Sequence, residues 1–284
     1  MKFIAVLSKE HPQLPFEELL SVLRADAGNF RVLERFGDRG VLFESERMDF
    51  SRLAYTMEVS EIVKGPSETV EGMGPVEGFP GSFCVRAIGL GEDIKDMEKM
   101  ERTAGSVLDT EERDVDLEEP ENFFRLFSTS EGYFLGRRIF RNDGGSFEDR
   151  RSHLRPFSSP VSLHPKLARC LVNLSEVCKG GSVVDPFCGT GGILLEAGMM
   201  GMEVRGCDID EVMVEGCTEN LDFYGVEDYE IMEDGAFSFL EGLEPGVDAV
   251  VTDLPYGKSS LKFSDTDEMV ERLLESVEDN CVGK

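Results

Sequence analysis

The stretch from Val183 to Gly198, VVDPFCGTGGILLEAG, restricts the fold more than any other part of the chain. A short apolar run ends in an acid and a proline, glycines follow at 189, 191 and 192, and an apolar helix-forming run begins at once. Strand, tight turn and helix in that order form the start of a parallel α/β unit. Glycine is needed in such a turn because the backbone must reverse sharply and admit a ligand without Cβ contacts. Downstream, EVRGCDI, EVMVEGCTENLDFYG, YEIMEDGA and VDAVVTDLPY read as strand, helix, strand and strand. Their apolar runs, bounded by glycines and acids, predict a parallel sheet covered on both faces.

Each predicted strand delivers an acid at its carboxyl end, where open α/β sheets bind ligands. Asp185 closes the first, and Asp208 in GCDID closes the second, placed to accept both hydroxyls of a ribose. Asp210 is the alternative there, as a helix N-cap. Asp234 closes the third and can reach an adenine amino group. A Walker lysine motif is absent, which excludes a phosphate-hydrolysing site of that type. The last strand runs into VVTDLPYGKSS, where an acid, a proline and an aromatic follow one another at Asp253, Pro255 and Tyr256. Taken alone, DLPY reads equally as a strand end with a capping acid and a core tyrosine.

Together the two stretches resemble Rossmann-type S-adenosylmethionine-dependent methyltransferases, DPFCGTGGILLEA matching their cofactor motif and DLPYG their (D/N)PPY amine-methylating motif. The resemblance implies that Asp185, Phe187, Gly189, Thr190, Gly191, Gly192, Asp208 and Asp234 hold S-adenosyl-L-methionine, with Phe157 at the same pocket. His164 is placed either there or simply at the start of a helix. The resemblance also implies a catalytic set of Asp253, Leu254, Pro255 and Tyr256. The Asp253 carboxylate and the Leu254 carbonyl would accept the two hydrogens of an exocyclic amine, Pro255 would stiffen the turn, and Tyr256 would stack on the base. Leu254 departs from the family, which more often has proline there.

The first 150 residues alternate strands (KFIAVLS, GVLFES, FCVRAIGL, YFLGRRIF) with two helix-period stretches (PFEELLSVLRADAG, DMEKMERTAGSVLD), an α+β arrangement in two short units. Residues 65–82, dense in Gly and Pro, read as a loop or linker. DVDLEEPENFFRLF followed by GYFLGRRIF resembles the THUMP RNA-binding domain, preceded by a ferredoxin-like segment. LRPFSSPVSLHPKLARCLVNL resembles the linker and lead-in helix of archaeal tRNA guanine-N2 methyltransferases acting at position 10. The organisation expected is therefore residues 1–150 as the ferredoxin-like plus THUMP domain, 151–164 as linker, and 165–284 as the methyltransferase domain. The helix opening at Pro165 is expected to face its core with Leu167, Leu171, Leu174 and Val177 or Cys178.

The net charge of −28 argues against a nucleic-acid partner, because phosphates need local positive potential. The charge is uneven, however: residues 181–284 carry 25 acids against 5 Lys and Arg, whereas residues 136–155 hold six arginines and three acids. Arg137, Arg138, Arg141, Arg150 and Arg151 thus become candidate contacts to tRNA phosphates, the alternative being arginines that solvate an acidic domain's edge. Seven cysteines without a CxxC pair, and three histidines off metal-ligand spacing, predict reduced thiols and no metal site. No apolar run approaches a membrane span and the first residues read as a strand, so the expected location is cytoplasmic.

The expected activity is transfer of a methyl group from S-adenosylmethionine to the N2 amine of a tRNA guanosine. Two alternatives stand beside it: a catalytically inactive THUMP tRNA-binding protein, and an adenine-N6 nucleic-acid methyltransferase. After DLPYG 27 residues remain, ending in a helix-period run with Met269, Leu273, Leu274 and Val277 on one face. The family continues with a fifth strand and a closing antiparallel pair. The domain is therefore expected to be C-terminally incomplete, as a truncated product or with self-association or a partner chain completing the sheet.

Overall fold

The computed structural model of the chain describes residues 1–46, 48–91, 96–108, 114–159, 162–243, 246–255 and 266–280. The chain divides into two units, Met1–Asp143 and Gly144–Lys284. The first contains β1 (Lys2–Leu7), α1 (Leu14–Asp26), β2 (Phe30–Phe36), β3 (Gly40–Ser45), β4 (Thr56–Ser67), β5 (Phe83–Gly89), α2 (Met97–Leu108), β6 (Asn122–Thr129) and β7 (Gly132–Arg141). These strands form one sheet in the order β2-β3-β1-β4-β7-β6-β5.

β1 carries five consecutive buried residues, Phe3 to Leu7, because it lies inside the sheet with both faces covered. α1 starts with Pro15 in its first turn and lays Leu19, Val22 and Leu23 against Phe3, Phe43 and Val59. Burying each of these leucine-sized side chains is worth about 1.5–3 kcal/mol. Glu18 on the same helix is fully buried, and it is satisfied by the backbone N–H groups of Ala54 and Tyr55 at 2.8 and 2.7 Å. The two α/β halves expected from the sequence are joined through β4, which pairs with β1 on one side and β7 on the other. β4 runs on to Ser67, so residues 65–67, expected in a loop, belong to a strand.

The second unit contains α3 (Gly145–Glu148), α4 (Pro165–Leu174), β8 (Ser182–Asp185), α5 (Gly192–Met199), β9 (Glu203–Asp208), α6 (Glu211–Phe223), β10 (Tyr229–Glu233), α7 (Ala236–Glu241), β11 (Ala249–Val250) and α8 (Thr266–Asn280). Its four strands are all parallel, in the order β10-β9-β8-β11. The order reverses at β8, and the crevice outside the strand ends at such a reversal is where open α/β sheets take their ligands. Val183 and Val184 alternate to opposite faces. Val183 joins Ala168, Leu194, Cys217 and Leu221 of α4, α5 and α6, while Val184 joins Cys207, Phe239, Leu240 and Leu273 on the side of α7 and α8.

Residues 144–164 belong to this second unit, whereas the sequence suggested a domain ending at 150 and a linker after it. Their anchor is ionic and is described below. α4 is rotated from its expected face: Ala168 and Val172 are fully buried, Leu171 only partly, and Cys178 is exposed. On α8, Met269 and Leu273 are buried and Leu274 is 59 % exposed.

Candidate active site

Asp185, the last residue of β8, is buried, and its Oδ1 accepts the Phe187 N–H at 3.1 Å and the Thr252 hydroxyl at 2.6 Å. Burial pushes its carboxyl up to about 7, with these two hydrogen bonds opposing the rise and Asp253 and Asp208 adding to it. On β9, Asp208 Oδ2 accepts the Gly189 N–H and Oδ1 the Asp210 N–H, both at 3.0 Å. The ribose candidate therefore grips the glycine turn itself. Asp210 caps α6 by accepting the Val212 N–H at 3.0 Å. Asp234, just past β10, donates its N–H to Asp208 O at 3.1 Å and accepts the Gly235 N–H at 2.7 Å. The three acids thus stand at neighbouring strand ends, linked through backbone.

Gly191 takes φ +79°, and a Cβ there would lie 2.6 Å from Cys217 Sγ, so no other residue fits. At Gly189 a Cβ would meet nothing within 4 Å. The backbone of the turn is thus open at Gly189, next to Asp208. Thr190 is buried, its hydroxyl 3.3 Å from Ser162 Oγ and its carbonyl accepting from Asn220 Nδ2 at 3.0 Å. Asn220 is fully buried and also holds both backbone groups of Phe157, at 3.1 and 2.9 Å. The Phe157 ring lies against Gly216 of α6 so closely that a Cβ there would overlap it. The Phe187 ring, by contrast, packs beside Val184 and Cys207 in the core on the α7 and α8 side. His164 is the helix-start residue, its Nδ1 accepting the Lys166 N–H at 3.2 Å.

The amine motif follows β11 directly. Asp253 is partly exposed, and among the described residues no donor is paired with its carboxylate. Leu254 packs into the core beside Phe239 and Leu240, which explains a leucine where proline is commoner: its side chain anchors the strand end. Pro255 is partly exposed. Tyr256 lies outside the described residues.

The arginine-rich stretch does not form one basic patch. Arg150 is buried and bidentate to Glu196, Nε at 2.8 Å and Nη2 at 3.1 Å, while Arg169 Nε approaches the same carboxylate at 2.8 Å. It is therefore an interior ion pair fastening residues 144–164 to α5, and not a phosphate contact. Arg151 bridges to Glu148 at 2.8 Å. Arg137 and Arg138 are neighbours on a strand and project to opposite faces. Arg137 sits 3.7 Å from Glu61 and over the Phe79 ring, whereas Arg138 stacks 3.5 Å over Phe123. Arg141 is exposed at the end of β7. Arg125, which the sequence did not single out, shares the Arg138 side and makes a bidentate pair with Glu58 at 2.7 Å. Asn220, Thr252 and Glu196 were also missed. Only Glu196 had a signal, as an acid inside the apolar run GILLEAGMM.

A parallel sheet reversing at its first strand, with a glycine turn backed by acids at successive strand ends and an Asp-Leu-Pro segment following the neighbouring strand, defines a Rossmann-like S-adenosylmethionine-dependent methyltransferase. In agreement, the RMKL-like methyltransferase domain family matches residues 152–284. The tRNA (guanine(10)-N2)-dimethyltransferase of Methanothermobacter thermautotrophicus is 40 % identical over 99 % of this chain and 85 % of its own length. The enzymes of that name from Pyrococcus abyssi and Methanocaldococcus jannaschii are 34 % and 32 % identical, over 88 % and 97 % of this chain and 72 % and 88 % of theirs. The chain belongs to the family of archaeal tRNA (guanine(10)-N2)-dimethyltransferases.

Proposed function

We propose that this chain methylates the exocyclic N2 amine of a guanosine in tRNA, at position 10 and to the dimethyl product that its relatives' names carry. The observation that carries the reading is the junction of β8 and β11. Thr252 is hydrogen-bonded to Asp185, so the next residue, Asp253, stands at the rim of the strand that opens into the glycine turn. S-adenosylmethionine, when bound, supplies a methyl group on a positively charged sulfur. The residues present fit it: Gly189 leaves open space, Asp208 stands beside that space, and the pocket wall is fixed by Asn220.

The chain's own contribution is positioning. The Asp253 carboxylate accepts one N2–H and the Leu254 carbonyl accepts the other, which turns the nitrogen lone pair toward the methyl group. As the nitrogen gains a carbon it becomes more acidic, and Asp253 Oδ is the acceptor placed to take its proton. The Tyr256 ring is assigned the stacking role. On the first unit, Arg138, with Arg141 at the strand end, is proposed to meet tRNA phosphates, supported by its place beside Phe123 on a sheet face. Among the described residues no cluster of His, Cys, Asp and Glu could hold a metal ion, and no helix is long and apolar enough to cross a membrane.

The test is nucleoside analysis by mass spectrometry of unmodified tRNA after incubation with the chain and cofactor. N2-methylated guanosine is expected. N6-methyladenosine instead, or tRNA binding with no modified nucleoside, would overturn the reading.

A further inference from the structure

Arg155 is 5 % exposed, in the segment just before α4. Its Nε donates to Arg150 O at 2.9 Å, but Nη1 and Nη2 are both enclosed and have no hydrogen-bond partner among the described residues. A guanidinium carries five N–H donors and keeps its charge in proteins. A buried cation with four of its five donors unused is costly, and an arriving anion would offset that cost. The nearby acid Glu196 does not serve, because its two oxygens are already held by Arg150 and Arg169. Burial lowers the pKa of Arg155 from the usual arginine value, and the charge of Glu196 opposes that drop.

The unused donors have an address. Nη1 lies 3.4 Å from where a Cβ on Gly192 would sit, with Ser162 Oγ 3.9 Å from the same point. Gly192 is the first residue of α5, whose N-cap Gly191 has no side chain to cap the first-turn N–H groups. A helix N-terminus favours negative charge, and here it meets a cation at one place. A planar guanidinium edge matches a carboxylate in two parallel hydrogen bonds. In the cofactor of the reading above, the sulfonium and ammonium groups are cationic and the α-carboxylate is the single anion.

We propose that the Nη1–Nη2 edge of Arg155 receives the α-carboxylate of S-adenosylmethionine at the N-terminus of α5, making Arg155 the residue that selects the amino-acid-bearing cofactor over its decarboxylated form. This rests on the methyltransferase reading and adds a cofactor-selecting residue to it.

The experiment is calorimetric titration of the full chain with S-adenosylmethionine and with decarboxylated S-adenosylmethionine, which lacks that one group. Hydrogen bonds to a charged group of this kind correspond to about ten- to hundredfold in affinity. Wild type is expected to prefer S-adenosylmethionine by that factor. Arg155→Met is expected to lose the preference by weakening S-adenosylmethionine alone, and Arg155→Lys to keep part of it. Equal affinities in wild type overturn the proposal without any variant being needed. Equal losses for both ligands in Arg155→Met also overturn it, since the residue would then only support the pocket. If wild type binds neither compound, the methyltransferase reading fails and this proposal with it. A wild type that binds both alike leaves that reading standing.

Discussion

Thr252 Oγ1 lies 2.6 Å from Asp185 Oδ1, joining the residue after β11 to the last residue of β8. The two strands are paired only at Val183–Ala249 and Val184–Val250, so this side-chain bond extends the junction past the backbone ladder. It ties the segment that leads into Asp253 to the strand that opens into the glycine turn, and it does so through a carboxyl group that burial has made a weak acid.

A pH signature follows from Asp185. Its carboxyl is pushed up to about 7 in the folded chain, from 3.8 ordinarily. A raised acid binds more protons folded than unfolded, so stability falls as pH rises from about 4 to about 7 and levels off above. In denaturant titrations without cofactor, the difference in stability between wild type and Asp185→Asn is expected to slope across that window. A difference that stays constant with pH would refute this.

Glu196 joins the buried Arg150 and the partly buried Arg169 to α5, and leaving them without their carboxylate should be costly. Glu196→Gln is expected to destabilise the chain by about 3–5 kcal/mol, the range for a broken buried pair. Denaturant midpoints check this. A change below about 1 kcal/mol, the scale of a surface salt bridge, would place the network at the surface.

The Gly216 position on α6 receives the Phe157 ring. Gly216→Ala improves helix propensity by up to about 1 kcal/mol, so an exposed site would be stabilised. Here overpacking is expected to dominate, with a net loss of about 1–3 kcal/mol. Thermal unfolding decides the sign, and a stabilised variant would mean that Phe157 does not occupy that face.

For RNA contact, Arg138 and Arg150 should behave differently. Arg138→Ala is expected to lower the slope of log affinity for tRNA against log salt by about one, the effect of one lost phosphate contact. Arg150→Ala is expected to lower stability without that change in slope. Equal slopes for wild type and Arg138→Ala would assign Arg138 to surface solvation.

The second unit was largely legible in the sequence because parallel strands buried on both faces leave apolar runs punctuated by glycine and acid, as at SVVDPF and EVRGCDI. β2 and β4 were not, since one lies at the sheet edge with charged residues among its apolar ones and the other ends in Gly65, Pro66 and Ser67. The glycine turn and its acids announce themselves by residue type. What the sequence could not disclose was partnership: a run of arginines looks alike whether it meets phosphates or, as at Arg150, a carboxylate buried in a helix 46 residues away. Asn220 and Thr252, ordinary residues in ordinary segments, became visible only through the atoms they touch.

The most direct measurement is methyl transfer by Asp253→Ala to unmodified tRNA, followed by nucleoside mass spectrometry, with cofactor affinity measured in parallel. Loss of the amine-holding carboxylate is expected to slow transfer by about 10²- to 10⁴-fold while cofactor affinity stays within about twofold of wild type. Transfer at the wild-type rate would contradict the account.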